Sequence, residues 1–151
     1  MAISQAMVTS FKVEILDGIH NFGVGVVRAS TAADVFKLAL YTSSATLGAA
    51  TTAYTTSDEV SSSGTNYTAG GLTLTISQVP TSSGTTAYID FDDLTFPSAT
   101  LTANGALIYN ATQSNKAVAV LAFGGDKTST AGNFTIQFPA AAASTAILRI
   151  A

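Results

Sequence analysis

The sequence has no cysteine, and charged residues occupy only 10% of its 151 positions, against a usual share of about 25%. Without cysteine, disulfide cross-links and cysteine-ligated zinc or iron–sulfur sites are excluded, and the redox compartment is not determined. A chain of this length buries roughly 68–70% of its unfolded surface, so it can fold without such cross-links. We therefore expect a single domain with one hydrophobic core.

Basic residues are few and scattered, and the formal net charge is −3. A nucleic-acid-binding protein normally gathers its basic residues on one face to neutralise phosphates, so no nucleic-acid partner is expected. No run approaches the ~20 apolar residues of a membrane-spanning helix. The start of the chain lacks the basic and apolar regions of a signal peptide. The sequence thus predicts neither a membrane partner nor a secretory leader.

Threonine, serine, alanine and glycine take the place of the missing charges, while apolar residues reach 47%. Short hydroxyl side chains lose little entropy when they are ordered, and a contact between them desolvates no charge. Such a surface suits packing in a crowded assembly. The composition equally fits a β-rich domain whose strands carry threonine on their outer faces.

Residues 3–22 fit two interpretations. Apolar residues recur every fourth position, as on one face of a helix, at Ile3, Met7, Phe11, Ile15 and Ile19. Ser10 would cap the helix start and Gly18 would end it. The alternation of residues 11–15 instead suits a strand. We favour a short helix over about 9–17.

The rest of the chain is typical of β-structure. Apolar alternation or short apolar runs predict strands at 35–41, 72–77, 87–91, 103–109, 117–123, 133–138 and 146–150. In the third of these, Ala87, Ile89 and Phe91 should face inward, and Tyr88, Asp90 and Asp92 outward. We predict a mainly all-β fold, an antiparallel β-sandwich or jelly-roll-like module with a short N-terminal helix. Residues 1–34 form an N-terminal helix and arm segment, and residues 35–151 the β-sandwich, within one domain overall.

Glycine, asparagine and serine mark the connections, because they adopt the positive φ of tight turns. Turns are predicted at 61–64, 69–71, 82–84, 103–105, 124–126 and 131–133. The longest stretch without a clear strand is 42–70. It is either an extended loop or an arm that reaches a neighbouring molecule.

Candidate chemistry is sparse. The single histidine, His20, has no cysteine partner and no Gly-x-Ser-x-Gly elbow to complete a triad, so it should cap carbonyls or pack on an aromatic ring. Asp90, Asp92 and Asp93 are the only dense acidic group and weak candidates for a hard cation such as Ca²⁺. Residues 22–27 lack the third glycine and the lysine of phosphate-binding loops. We expect no enzyme activity, no catalytic residues and no cofactor.

Several blocks, in order and over most of the chain, resemble a family of small virion structural proteins of tailed bacteriophages. These blocks are 10–22 (SFKVEILDGIHNF), 36–47 (FKLALYTSSATL), 57–60 (SDEV), 64–71 (GTNYTAGG), 105–110 (GALIYN) and 115–127 (NKAVAVLAFGGDK). Residues 22–34 depart from the family pattern, because this segment is longer and more apolar than the family pattern leads us to expect at this place. The family brings no catalytic residues that could be carried over.

The resemblance implies a capsid decoration (cement) protein, made in the bacterial host cytoplasm and located on the capsid surface of the virion. Its expected partner is the major capsid protein of the same virion, and we favour a homotrimer because a trimer fits the local three-fold positions of an icosahedral shell. Phe22, Val24, Val26 and Tyr54 are the candidate interaction residues, since apolar and aromatic anchors dominate binding energy. Two alternatives stay open: a tail or neck component, and a receptor- or glycan-binding module using Tyr54, Tyr67 and Tyr88.

Overall fold

The computed structural model describes residues 2–16, 18–23 and 33–151, which form one short helix and eight strands. In chain order these elements are β1 (Ala6–Met7), α1 (Thr9–Leu16), β2 (Phe36–Tyr41), β3 (Leu72–Thr73), β4 (Ile76–Ser83), β5 (Thr86–Phe91), β6 (Leu94–Asn110), β7 (Lys116–Ile136) and β8 (Leu148–Ile150). The predicted fold class is confirmed, because the described chain is mostly β, with two antiparallel sheets and one short helix in a sandwich-like arrangement.

The strands form a five-stranded sheet in the order β1-β7-β6-β2-β3 and a three-stranded sheet in the order β4-β5-β8. Apolar side chains from both sheets share one buried cluster. Phe36 of β2 and Phe91 of β5, for example, contact each other with ring centroids 6.0 Å apart. Val8 and Phe11 of the N-terminal segment are buried in the same cluster, so this segment is part of the core.

The short N-terminal helix is confirmed within one residue of its predicted start and end. At the start of the helix the backbone N–H of Val8 donates to the carbonyl of Val118 in β7 (3.2 Å), and that of Thr9 donates to the carbonyl of Ala49 in the 42–70 segment (2.9 Å). These bonds satisfy backbone donors that have no partner within the helix. Ser10 was expected to cap the helix, but its hydroxyl is buried without a hydrogen-bond partner. Gly18 follows the helix with a φ of 68°, the predicted terminating conformation.

The antiparallel hairpin of β6 and β7 differs most from expectation. The turns predicted at 103–105, 124–126 and 131–133 are wrong, because these residues lie inside β6 and β7 at shifts of the pairing register. In β7 the small residues Gly124, Gly125 and Ala131 provide positive φ for β-bulges rather than for chain reversal, as at Ala131 (φ 48°). The chain reverses at 111–115, where Ser114 and Asn115 have φ values of 53° and 57°.

The single strand predicted over 72–77 is divided between the two sheets. Leu74 still donates its N–H to the carbonyl of Phe36 in the first sheet (2.8 Å). The next residue, Thr75, accepts from the N–H of Asp92, beside the second sheet (2.9 Å). The chain therefore passes from one sheet to the other between these residues.

Residues 42–70 form an extended loop that lies on its own chain. Ala45, Leu47, Val60 and Tyr67 of this loop are buried in the core. The loop is also hydrogen-bonded to β2, because the N–H of Val60 donates to the carbonyl of Leu40 (2.9 Å). Of the two predicted alternatives, the structure supports the loop and not an arm held away from the molecule.

Candidate functional site

Two of the four predicted interaction residues are engaged inside the molecule. Phe22 is 9% exposed and stacks on Phe36. Tyr54 stacks on Tyr109, with ring centroids 4.7 Å apart. Val24 and Val26 lie outside the described residues. Phe22 is therefore a core residue, whereas Tyr54 is only partly buried and its place in a contact with a partner stays a prediction.

Four of the five tyrosines gather around Glu59. The hydroxyl of Tyr54 donates to Glu59 Oε2 (2.7 Å), while the hydroxyl of Tyr67 and the N–H of Gly70 donate to Oε1 (2.6 and 2.7 Å). The hydroxyl of Tyr67 also accepts from the N–H of Leu40 (3.0 Å). In this tyrosine cluster the charge-assisted hydrogen bonds to Glu59, which are stronger than neutral ones, join parts of the 42–70 loop to one another, and the bond from Leu40 to Tyr67 fastens the loop to β2.

The cluster resists ionisation of its phenols. Burial, the largest cause, and the negative charge of Glu59 raise the pKa of Tyr41, Tyr54, Tyr67 and Tyr109. The tyrosines therefore remain neutral hydrogen-bond donors at physiological pH. Since Tyr54 and Tyr67 point at one carboxylate and Tyr88 lines a separate cavity, the three tyrosines do not form the aromatic platform expected for glycan binding.

His20 belongs to a second polar cluster, next to the β6–β7 turn. The side-chain oxygen of Asn110 accepts from the N–H groups of Thr112 and Gln113 (3.1 Å each), which fixes the orientation of the amide. Its nitrogen donates to Asp34 Oδ2 (2.8 Å) and lies 3.0 Å from His20 Nδ1, so Nδ1 is the acceptor. The ring of His20 packs against Phe11 at 4.7 Å, as the sequence predicted.

Asp90 is buried, and the expectation that it faces outward is wrong. β5 is the central strand of its sheet, so Ile89, Asp90 and Phe91 are all covered. Oδ1 accepts from the N–H of Phe91 (2.9 Å), while Oδ2 has no hydrogen-bond partner in the structure. Burial is the main cause that raises the pKa of Asp90, and interactions with the backbone of Phe91 and of Ile147 offset only part of it.

Asp92 and Asp93 are exposed beyond the end of β5, and Asp93 Oδ1 accepts from the N–H of Phe138 (2.8 Å). In the part of the chain that the structure describes, no three histidine or acidic side chains are grouped so as to hold a metal ion. The acidic group predicted as a weak cation site is thus divided between one buried and two exposed carboxylates.

An apolar cavity of about 170 Å³ lies between the N-terminal segment and the second sheet. Its lining includes Met7, Phe11, Ile15, Phe22, Tyr88 and Leu148. His20 provides the only imidazole in the lining. The cavity adjoins Gly23, the last described residue before position 33.

A polar surface lies on the outer half of the β6–β7 hairpin. We define the threonine face as the six exposed threonines of this surface: Thr95, Thr100, Thr102, Thr128, Thr130 and Thr135. Two cross-strand pairs of hydroxyl groups, Thr95 with Thr135 and Thr102 with Thr128, are each hydrogen-bonded at 2.9 Å. The opposite side of β6 is buried in the core, as are Phe134 and Ile136 at the end of β7.

This surface is rigid and nearly uncharged. Over 94–104 and 126–136 the only charged residues are Asp126 and Lys127, at one end. Asp126 accepts a hydrogen bond from the side chain of Asn104 (2.8 Å). The threonine face was not predicted as a contact surface, although threonines alternate along the sequence at Thr100–Thr102 and Thr128–Thr130. That alternation is the feature of the sequence from which the threonine face could have been predicted.

Comparison with protein-family models, curated proteins and solved structures finds no match to this chain. None of the described residues belongs to a helix that is long and apolar enough to cross a bilayer.

Proposed function

We propose that this protein is a decoration protein of a tailed bacteriophage, which binds the outside of the assembled head and stabilises it. The block resemblance across the sequence supports the phage assignment. The threonine face is the structural observation that carries the proposed binding role. Its partner is the major capsid protein of the same virion.

The threonine face suits repeated contact with a protein shell. Its hydroxyl groups already lie in a fixed array, because cross-strand hydrogen bonds join them in pairs. Ordering threonine on binding costs less entropy than ordering lysine or glutamate, and few charges must be desolvated. The paired strands of the hairpin already hold the face in one arrangement, which further limits the entropy lost on binding.

Stabilisation of the shell follows from mass action. A protein that binds the assembled shell and not the separated subunits adds its binding free energy to the stability of the shell. Weak contacts at many equivalent positions become strong when one oligomer spans several subunits. A trimer at the local three-fold positions remains our prediction for the oligomer on the head.

Co-sedimentation with phage particles tests this proposal. The purified protein is mixed with mature heads stripped of accessory proteins and, in parallel, with isolated tails. We expect saturable binding to heads at hundreds of copies per particle. Binding to tails alone would replace the proposal with a tail or neck component, and binding to neither particle would overturn it.

A matched pair of variants tests whether the threonine face makes the contact. Thr102→Asp places a charge in the middle of the face, whereas Thr85→Asp makes the same change in the exposed β4–β5 turn. Thr102→Asp should reduce head binding at least about tenfold, while Thr85→Asp should bind like the unmodified protein. Circular dichroism checks that both variants are folded. Equal binding by the two variants would exclude the threonine face as the contact.

A further inference from the structure

The outer edge of β7 is open over most of its length. β1 pairs with β7 only at Ala119 and Val120. Among the described residues, no other strand or loop backbone pairs with this edge between 122 and 136. The far edge of the same hairpin is covered, since the N–H of Thr100 donates to the carbonyl of Thr65 (2.9 Å).

An open edge presents backbone N–H and C=O groups that can pair with another strand. We propose that this edge pairs antiparallel with the same edge of a second copy of this chain, around a two-fold axis between Ala131 and Gly132. The five-stranded sheets of the two copies then continue into one another. This inference does not rest on the proposed phage function.

The β-bulge at Ala131 determines which register is possible. Before the bulge the even-numbered residues Thr128 and Thr130 lie on the threonine face, with the half-buried Ser129 between them, and after it the odd-numbered residues Asn133 and Thr135 are exposed while Phe134 is buried. Residues opposite each other in an antiparallel pair point to the same face of the sheet. The proposed axis places Thr128 opposite Thr135 of the second copy and Thr130 opposite its Asn133, so exposed side chains meet exposed side chains.

Repulsion between like charges does not oppose a second copy as the occupant of this edge. Over 127–136 the only charged residue is Lys127, and the proposed register places it opposite Ile136 of the second copy. No like charges therefore oppose each other, and none needs an ion-pair partner from a different protein. Thr128 of one copy and Thr135 of the other would form a cross-strand pair of hydroxyl groups, of the type that the β6–β7 hairpin already contains.

Two charge variants test both the contact and its register. The first variant is Thr130→Lys/Asn133→Lys, in which the lysine at 130 of each copy would lie opposite the lysine at 133 of the other copy. The second variant, Thr130→Glu/Asn133→Glu, places glutamates opposite each other in the same way. The control, Ser83→Lys/Thr85→Lys, adds the same positive charge at exposed positions of the second sheet. Sedimentation velocity over a concentration series gives the mass of each full-length protein, and circular dichroism checks its fold.

We expect the unmodified protein and the control to form a dimer. Each interface variant alone should associate at least about tenfold more weakly, and an equimolar mixture of the lysine and glutamate variants should recover the dimer. A monomer at every concentration would overturn the inference, as would a dimer or trimer whose mass neither interface variant changes. Failure to recover association in the mixture would rule out this register. The measurement needs no phage particle, so its failure is distinguishable from failure of the proposed function.

Discussion

Phe22 and Phe36 stack face to face, with ring centroids 4.2 Å apart and ring planes at 8°. Phe11 adds an edge-on contact to Phe22 at 6.0 Å. The backbone on either side is held as well, because the N–H of Asn21 donates to the carboxylate of Asp34 (3.0 Å). A position that composition and context assign to a partner surface is thus part of the aromatic core.

Replacement of Phe22 should therefore destabilise the fold itself. We expect Phe22→Ala to lower the free energy of unfolding by about 3 kcal/mol, because it removes a buried ring and leaves a cavity. Phe22→Leu, which retains most of the apolar volume, should cost clearly less. Urea denaturation followed by circular dichroism measures both. Unchanged stability in Phe22→Ala would show that the ring contributes little to the core.

The difference between prediction and structure at Phe22 has a physical cause. Local periodicity reports one neighbouring surface, so alternation correctly located β2 and β5, and the recurrence of apolar residues at every fourth position correctly located the short helix. It does not report which distant part of the sequence lies beside a segment, as β8 lies beside β5 next to Asp90. Glycine and similar residues likewise indicate that the backbone adopts a positive φ, but not whether the chain reverses there. Gly124 and Ala131 therefore lie at β-bulges and not at the predicted chain reversals. The tyrosine cluster depends on contacts over 5–39 residues and could not be found by spacing.

Gly71, directly after the 42–70 loop, should be harder to replace than the glycines within that loop. It adopts a φ of 72°, and a Cβ at this position would overlap the carbonyl of Leu38 in β2. Because backbone and not a flexible side chain is in the way, we expect Gly71→Ala to cost about 4 kcal/mol or more. The melting temperature and urea midpoint of the variant provide the measurement.

Gly84 provides the matched control for Gly71. Its φ is 59°, but no atom lies within 4 Å of its added Cβ, so Gly84→Ala carries only the conformational cost of about 1–2 kcal/mol. If the two variants lost equal stability, steric overlap with β2 would not be the reason that position 71 requires glycine.

The tyrosine cluster should make the fold sensitive to alkali. The pKa of each of its four tyrosines is raised above the ordinary value of 10.0, so above pH 10 the unfolded chain releases phenol protons that the folded chain retains. The free energy of unfolding must then fall as pH rises above 10. Tyrosinate absorbance and circular dichroism, recorded together, should show these tyrosines ionising only as the fold is lost. Tyr54→Phe should make the fall less steep, and full ionisation of all tyrosines in a still-native fold would contradict the prediction.

Asp90 should make stability depend on pH in the acidic range. Its pKa is raised in the folded state, so between the ordinary value of 3.8 and the raised folded value the folded chain binds more protons than the unfolded chain. The contribution of this group to the free energy of unfolding therefore falls as pH rises through that window and is constant above it. Asp90→Asn cannot ionise and should not show this fall.

The observable is the difference in unfolding free energy between Asp90→Asn and the unmodified protein, measured by urea denaturation at a series of pH values. As pH rises above 3.8, the unfolding free energy of Asp90→Asn should increase relative to that of the unmodified protein and then level off. A destabilisation by the amide itself would be the same at every pH and would not change this trend. Asp92→Asn, an exposed change on the same acidic segment, controls for the loss of one negative charge. A difference that is independent of pH would mean that burial does not oppose ionisation of Asp90.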